Sequence, residues 1–202
     1  MDDAGPCGLA AADGATPLDP DEAEGLKPTW IATRDDLNEA EQANIAKGLS
    51  RPVWARYSTS ALLDDLRLRE LHRAVFGDVW TWAGTYRIRE KNIGVDPRLI
   101  STEVLALCEN ANHWFEGDDP MQPAEAGARF HHQLVNVHPF PNGNGRHARA
   151  ITDLLTSSRG EPRFTWGGAN LDSPSEMRSR YIGSLRAADG GDYGPLLEFV
   201  RS

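Results

Sequence analysis

The run His138-Pro139-Phe140-Pro141-Asn142-Gly143-Asn144-Gly145-Arg146-His147-Ala148-Arg149 constrains this chain most. Pro139 disfavours α conformation at His138, so a helix leading into the run must end there. Gly143-Asn144-Gly145 then lets the backbone turn tightly and approach a ligand with no Cβ in the way. RHARAITDLL, which follows, has strong helix propensity. The run predicts a helix, a tight loop and the N-terminus of a second helix.

That order has a chemical reading. A helix N-terminus presents unpaired N–H groups and a partial positive charge, which suits phosphate. Arg146 and Arg149 stand three residues apart on the second helix and are predicted to face one anion. Their planar forks match phosphate oxygens and keep their charge at any physiological pH. His138, on the other lip of the loop, has an ordinary pKa near 6.5 and can take a proton from an attacking hydroxyl. The motif therefore reads as a phosphate cradle beside a general base, which points to transfer of a phosphorus group to a hydroxyl.

The surrounding sequence reads as mainly helical. Asn38 and Glu41 predict a helix start for NEAEQANIAKGL. One helix is expected from about Ser60 to Phe76, stopped by Gly77. RIREKNIGVD alternates about an Asn-containing turn and predicts a short β-hairpin. Ile100, Val104, Leu107, Ala111 and Phe115 mark a helix that Gly117 closes, and Pro123 opens another that runs to the motif. Ser173, Pro174 and Glu176 form a capping-box start for a late helix. The fold class is a compact helical bundle with one small hairpin.

Composition narrows the setting. A formal charge of -9 argues against general affinity for a nucleic-acid backbone. Two cysteines, Cys7 and Cys108, make no disulfide framework and fit a reducing compartment. No stretch approaches the roughly 18 apolar residues of a membrane span, and MDDAGPCGLAAADGA lacks the basic start and apolar core of a signal peptide. The expectation is a soluble, cytoplasmic protein that binds neither nucleic acid nor membrane. Residues 1–26 are acidic and rich in Gly and Ala, without Lys or Arg. They are read as a partly mobile segment, and residues 27–202 as one domain.

Other candidates have plainer readings. His131 and His132 lack His-x-x-x-His ligand spacing, so one is expected in the core and one in solvent. Trp80, Trp82, Trp114 and Trp166 read as core aromatics, and Cys108 as inert packing. Arg178 and Tyr181 either line a nucleotide pocket or make ordinary helix-surface contacts.

The motif resembles the signature of the Fic family, His-x-Phe-x-(Asp/Glu)-Gly-Asn-Gly-Arg-x-x-Arg. WAGTYR with REKNIGVDP is similar to that family's flap, and RSRYIGSLRAADGGDYGPLLEF to its closing helices. GATPLDPDEAEGL with TRDDLNEAEQANI resembles the bacterial mobile mystery protein B subgroup, found with mobile elements. The resemblance implies a Fic-like helical bundle that transfers AMP from ATP to a Ser, Thr or Tyr hydroxyl of a target protein. It implies His138 as general base, with Gly143, Asn144, Gly145 and Arg146 around the donor phosphates. Arg149 would grip the terminal phosphate and Phe140 would anchor the loop. Lys91, Asn92, Ile93, Gly94 and Val95 would be the flap that aligns the target by strand-like pairing.

Two positions depart from the pattern. Asn142 stands where the family carries an acidic residue for Mg2+, so its amide oxygen is the metal ligand implied here. Pro20-Asp21-Glu22-Ala23-Glu24-Gly25 is similar to an inhibitory element, with Pro in place of Ser or Thr. That implies Glu24 as a regulatory partner of Arg149, and a regulatory partner protein as in toxin–antitoxin-like pairs. Two alternatives stay open: Doc-type phosphate transfer, against which Gly145 counts, and a nucleotide-binding module with weakened catalysis.

Overall fold

Thr33, not Asn38, opens the first helix. Its hydroxyl accepts from Asp36 N–H while the Asp36 carboxylate accepts from Thr33 N–H, and helix α1 runs Arg34–Leu49. The early start follows from this Thr-x-x-Asp box, in which an Asp at the third position does the work of Glu. The computed structural model describes residues 23–168 and 173–202. Most of the N-terminal segment 1–26, including Pro20, Asp21 and Glu22 of the inhibitory-like element, lies outside the described residues.

The expected helix from Ser60 to Phe76 is two. Helix α2 spans Thr59–Leu62, the chain leaves α geometry at Leu63, and Asp64 then caps helix α3, Asp65–Phe76, through the N–H groups of Leu66 and Arg67. An Asp side chain competing for local backbone donors explains the break. Leu66, in the first turn of α3, is 67% exposed.

Helices α4 (Ile100–Glu116), α5 (Pro123–Val137) and α6 (Asn144–Ser158) follow, then α7 (Pro174–Asp189), with the expected Ser173–Glu176 box, and α8 (Gly194–Arg201). Helix α1 packs on α3, α5 on both α4 and α6, and α7 on α8. Helix α5 serves two cores. Phe130, Leu134 and Val137 join the main cluster, whereas Ala124 and Ala128 join a smaller one with Phe164, Trp166 and Phe199. A helix buried on two faces leaves no solvated side for His131 or His132, and both are buried.

The hairpin does not form. No strand is present among the described residues, where the sole ladder-like pairing is a bridge between Leu26 and Trp80. Residues 25–27 are tacked along 79–81 by Lys27 N–H to Val79 O and Thr81 N–H to Gly25 O. The flap segment 87–95 is an irregular loop held by a side chain, as described below. No helix among the described residues is long and apolar enough to cross a membrane.

Candidate functional site

Helix α5 ends where Pro139 requires. His138 takes the left-handed conformation (φ 51°, ψ 59°), unusual for a residue with a Cβ, and its N–H still bonds Leu134 O. Trp166 is the other described non-glycine residue with positive φ, and it too borders the site.

The loop after His138 is fastened from inside. Asn144 closes it with two bonds, accepting from Phe140 N–H at 2.9 Å and donating to Phe140 O at 2.7 Å. The fully buried Phe140 ring stacks on His72 with centroids 3.7 Å apart. His72 fixes its own tautomer: Nδ1 accepts from Gly84 N–H at 3.0 Å, so the proton sits on Nε2, which donates to Asn142 O at 3.1 Å. Burial first, then the neighbouring His147, pushes the His72 pKa well below its ordinary range and keeps that arrangement neutral. Gly143 is left-handed (φ 77°), and a Cβ there would meet the Phe76 ring at 2.6 Å. No side chain caps helix α6, so its first N–H groups point into the loop. The helix, tight loop and uncapped helix N-terminus expected from the sequence are present.

The two arginines differ in their partners. Arg146 Nη1 lies 2.7 Å from Glu41 Oε2, and its guanidinium sits 4.9 Å over Phe76. Glu41 is buried on α1, and its other oxygen accepts from the Trp80 indole at 2.8 Å. Arg149 makes no ion pair among the described residues. Its guanidinium lies 4.8 Å over Tyr181 and 5.6 Å over Trp166, and its Nε is buried without a hydrogen-bond partner. A cation held by aromatic faces keeps its donors for an anion. His131 bonds the Tyr181 hydroxyl at 2.8 Å and Asp153 accepts from the Trp166 indole at 3.0 Å, so both aromatics are held from behind.

Gly94 lies against His138. A Cβ on Gly94 (φ 105°) would stand 2.7 Å from His138 Cβ and 2.5 Å from Arg87 Nη2. Only glycine admits that approach. Burial, followed by the cations Arg87 and Lys91, lowers the His138 pKa to about 4, against a hydrogen bond to Val135 backbone that opposes the shift. His138 is therefore neutral at pH 7, the state a proton acceptor needs.

The remaining candidates fall as follows. Asn142 is half-buried, and its amide oxygen accepts from Gly143 N–H at 2.6 Å. That neutral oxygen is already committed to the loop, and no cluster of three His, Cys, Asp or Glu side chains stands ready for a metal among the described residues. The residues present do not fit a protein-held Mg2+. Glu24 is exposed in its turn and makes no ion pair among the described residues. His132 is buried and bonds Asp189 at 2.8 Å, which corrects the expectation that one of the paired histidines is solvated. Cys108 is buried and its thiol is pushed up to about 12, mainly by burial, so it is inert packing. Sequence reasoning missed Glu41, His72 and Arg87. Glu41 and His72 sit on helices with nothing local to mark them. Arg87 alone carried a signal, a charge directly after the aromatic run VWTWAGTY.

Residues 62–156 match the model of the Fic/DOC family. A protein adenylyltransferase Fic of Drosophila virilis is 28% identical over 160 residues, covering 75% of this chain and 32% of its own length. The chain thus spans about a third of the length of that curated relative. A Fic-1 fragment from C. elegans superposes with a TM-score of 0.61 at 25% identity, over 88% of this chain and 51% of that one. The fold is also that of the BepC protein of Bartonella tribocorum, solved with bound AMPPNP, at TM-score 0.65 and 18% identity over 89% of this chain and 95% of that one.

Proposed function

We propose that the chain uses the region matched by the Fic/DOC family model, residues 62–156, to transfer AMP from ATP to a hydroxyl side chain of a target protein. One observation carries the reading. A neutral histidine stands at one end of a short loop, and a capless helix that carries two arginines in its first turns starts at the other, with the backbone of a flap laid on the histidine. The names of the relatives and the AMPPNP bound to the Bartonella protein support ATP as donor.

In this reading the flap 91–95 aligns an extended target segment so that its Ser, Thr or Tyr hydroxyl faces His138. The hydroxyl oxygen attacks the α-phosphorus and its proton passes to His138. The bond from that phosphorus to the bridging oxygen breaks, and pyrophosphate leaves with the electron pair. The α6 N-terminus and Arg146 hold donor phosphates, while Arg149 holds the terminal one. Mg2+ accompanying ATP would neutralise phosphate charge, and no residue of the chain is assigned to hold it.

The proposal extends to the rest of the chain. Residues 27–202 are the catalytic domain, and the turn at 20–25 of the N-terminal segment is an inhibitory element in which Glu24 restrains Arg149; the chain also resembles the mobile mystery protein B subgroup. A partner protein and a cytoplasmic, toxin–antitoxin-like setting belong to the same reading. Glu24→Gly should then raise self-modification with labelled ATP, and an unaltered rate removes the regulatory part.

Incubation with α-labelled and γ-labelled ATP in parallel tests the chemistry, on the chain itself and on a host lysate. AMP transfer moves the α label alone. Transfer of the γ label alone would instead establish the phosphate-transfer reading, against which Gly145 stands: a Cβ there meets nothing within 4 Å, so the space beside it is open to a nucleotide.

A further inference from the structure

We infer that Arg87 is a positioning residue whose one guanidinium fastens the target-aligning flap and the backbone of the general base into a single unit. The inference rests on the reading of His138 as that base.

Arg87 is 2% exposed. A charge so buried is costly unless its donors are satisfied. Its Nε donates to His138 O at 2.6 Å, Nη1 to Arg89 O at 2.9 Å and Nη2 to Val95 O at 2.5 Å. Its own N–H bonds Pro139 O at 2.9 Å, and Val95 N–H bonds Val137 O at 3.3 Å. Among the described residues these acceptors are backbone carbonyls, and they come from two segments. Arg89 and Val95 are the two arms of the flap, and Val137, His138 and Pro139 are the backbone that presents the base.

The absence of strands among the described residues makes the clamp necessary. A hairpin would hold its arms together by a ladder of backbone bonds. Here the arms at Arg89 and Val95 are joined through a side chain, whose fork reaches both at once. The same fork holds the carbonyl of His138, whose left-handed conformation persists only where its surroundings impose it. Gly94 completes the contact, since its missing Cβ leaves room for both Arg87 Nη2 and His138 Cβ. A flap displaced relative to the base would misplace the hydroxyl while leaving the ATP contacts of Arg146 and Arg149 intact.

The test compares Arg87→Lys and Arg87→Met with the wild-type chain. Lysine keeps the charge without the fork, and methionine keeps apolar volume without either. Self-modification from α-labelled ATP is followed against ATP concentration, and amide hydrogen exchange is followed across the chain. The maximal rate is expected to fall about 100-fold in both variants, as for an ångström-scale misplacement of reacting groups. The ATP concentration giving half that rate should stay within about twofold, because ATP binding is not routed through Arg87. Exchange at residues 88–95 should quicken about tenfold or more, while α1 and α6 keep their protection. Arg87→Lys with wild-type rate and flap protection overturns the inference. So does a loss confined to ATP affinity, or exchange that rises uniformly over the whole chain. Should the wild-type chain transfer no AMP, the reading of His138 fails instead, and flap exchange alone decides the clamp.

Discussion

Glu41 and Arg146 stand 105 positions apart in the chain and meet at 2.7 Å, with the Trp80 indole on the second carboxylate oxygen at 2.8 Å. The carboxylate is buried, whereas the arginine side chain is 38% exposed, so the pair joins the α1–α3 side of the bundle to the first turn of α6. Glu41→Ala strands both partners and is expected to cost about 2–3 kcal/mol of stability, the lower end for breaking a buried pair because Arg146 reaches solvent. Glu41→Gln keeps one acceptor oxygen, for the Trp80 indole or for Arg146 but not for both, and is expected to cost about 1–2 kcal/mol. Chemical denaturation checks both. In activity, Glu41→Ala should raise the ATP concentration for half-maximal rate several-fold, as Arg146 loses its orientation; an unchanged value would show that Arg146 does not hold donor phosphate.

His138→Ala removes the proton acceptor and leaves the cradle. AMP transfer is expected to fall by about 10²–10⁴. ATP binding by calorimetry should be preserved, because the loop is fastened by Asn144, Phe140 and His72 rather than by His138. Wild-type activity in the variant would assign the chain to the weakened-module reading.

Asn142→Asp restores an anionic oxygen beside the loop. It can still accept the Gly143 N–H while offering a charged ligand to the Mg2+ that accompanies ATP. Metal titrations of the transfer rate should shift to lower Mg2+ concentration. Superimposable titrations for variant and wild type remove the expectation.

Acid should unfold this protein early. Burial holds His131 at about 3 and His138 and His147 at about 4 in the fold, against 6.5 for an unburied imidazole. Between pH 6.5 and about 4 the unfolded chain binds the extra protons, so each histidine removes about 1.4 kcal/mol per pH unit as pH falls. Asp153 opposes them: burial raises it from 3.8 to about 6, so its protonation favours the fold as pH falls through 6. One carboxyl against three imidazoles leaves a net loss. Thermal melts from pH 7.5 to 5 should show a steadily falling Tm, and a flat or rising Tm would contradict the burial of these groups.

The helix-loop-helix at 138–149 was legible because its causes are local. Pro139 stops a helix, glycine admits left-handed backbone, and helix propensity resumes at once, all within a few bonds. The capping box at Ser173 and the stop at Gly117 were legible for the same reason. His138, Arg146 and Arg149 followed as candidates, since a motif of this length carries them in one segment.

Tertiary structure decided what depended on distant partners. The alternation in RIREKNIGVD suggested strands, but with no ladder to join, that segment wraps the Arg87 guanidinium instead. The paired histidines looked half-solvated, yet α5 is covered on both sides and buries them together. Glu41 carried no local sign of reaching Arg146, because only the packing of α1 on α3 brings it there. By itself the sequence determined the helix-loop-helix at 138–149 and the order of His138, Arg146 and Arg149 along it, which short-range backbone preference makes. Which charges face which, and what holds the flap to the base, depend on long-range burial, where a buried charge is tolerated only beside the partners the whole fold supplies.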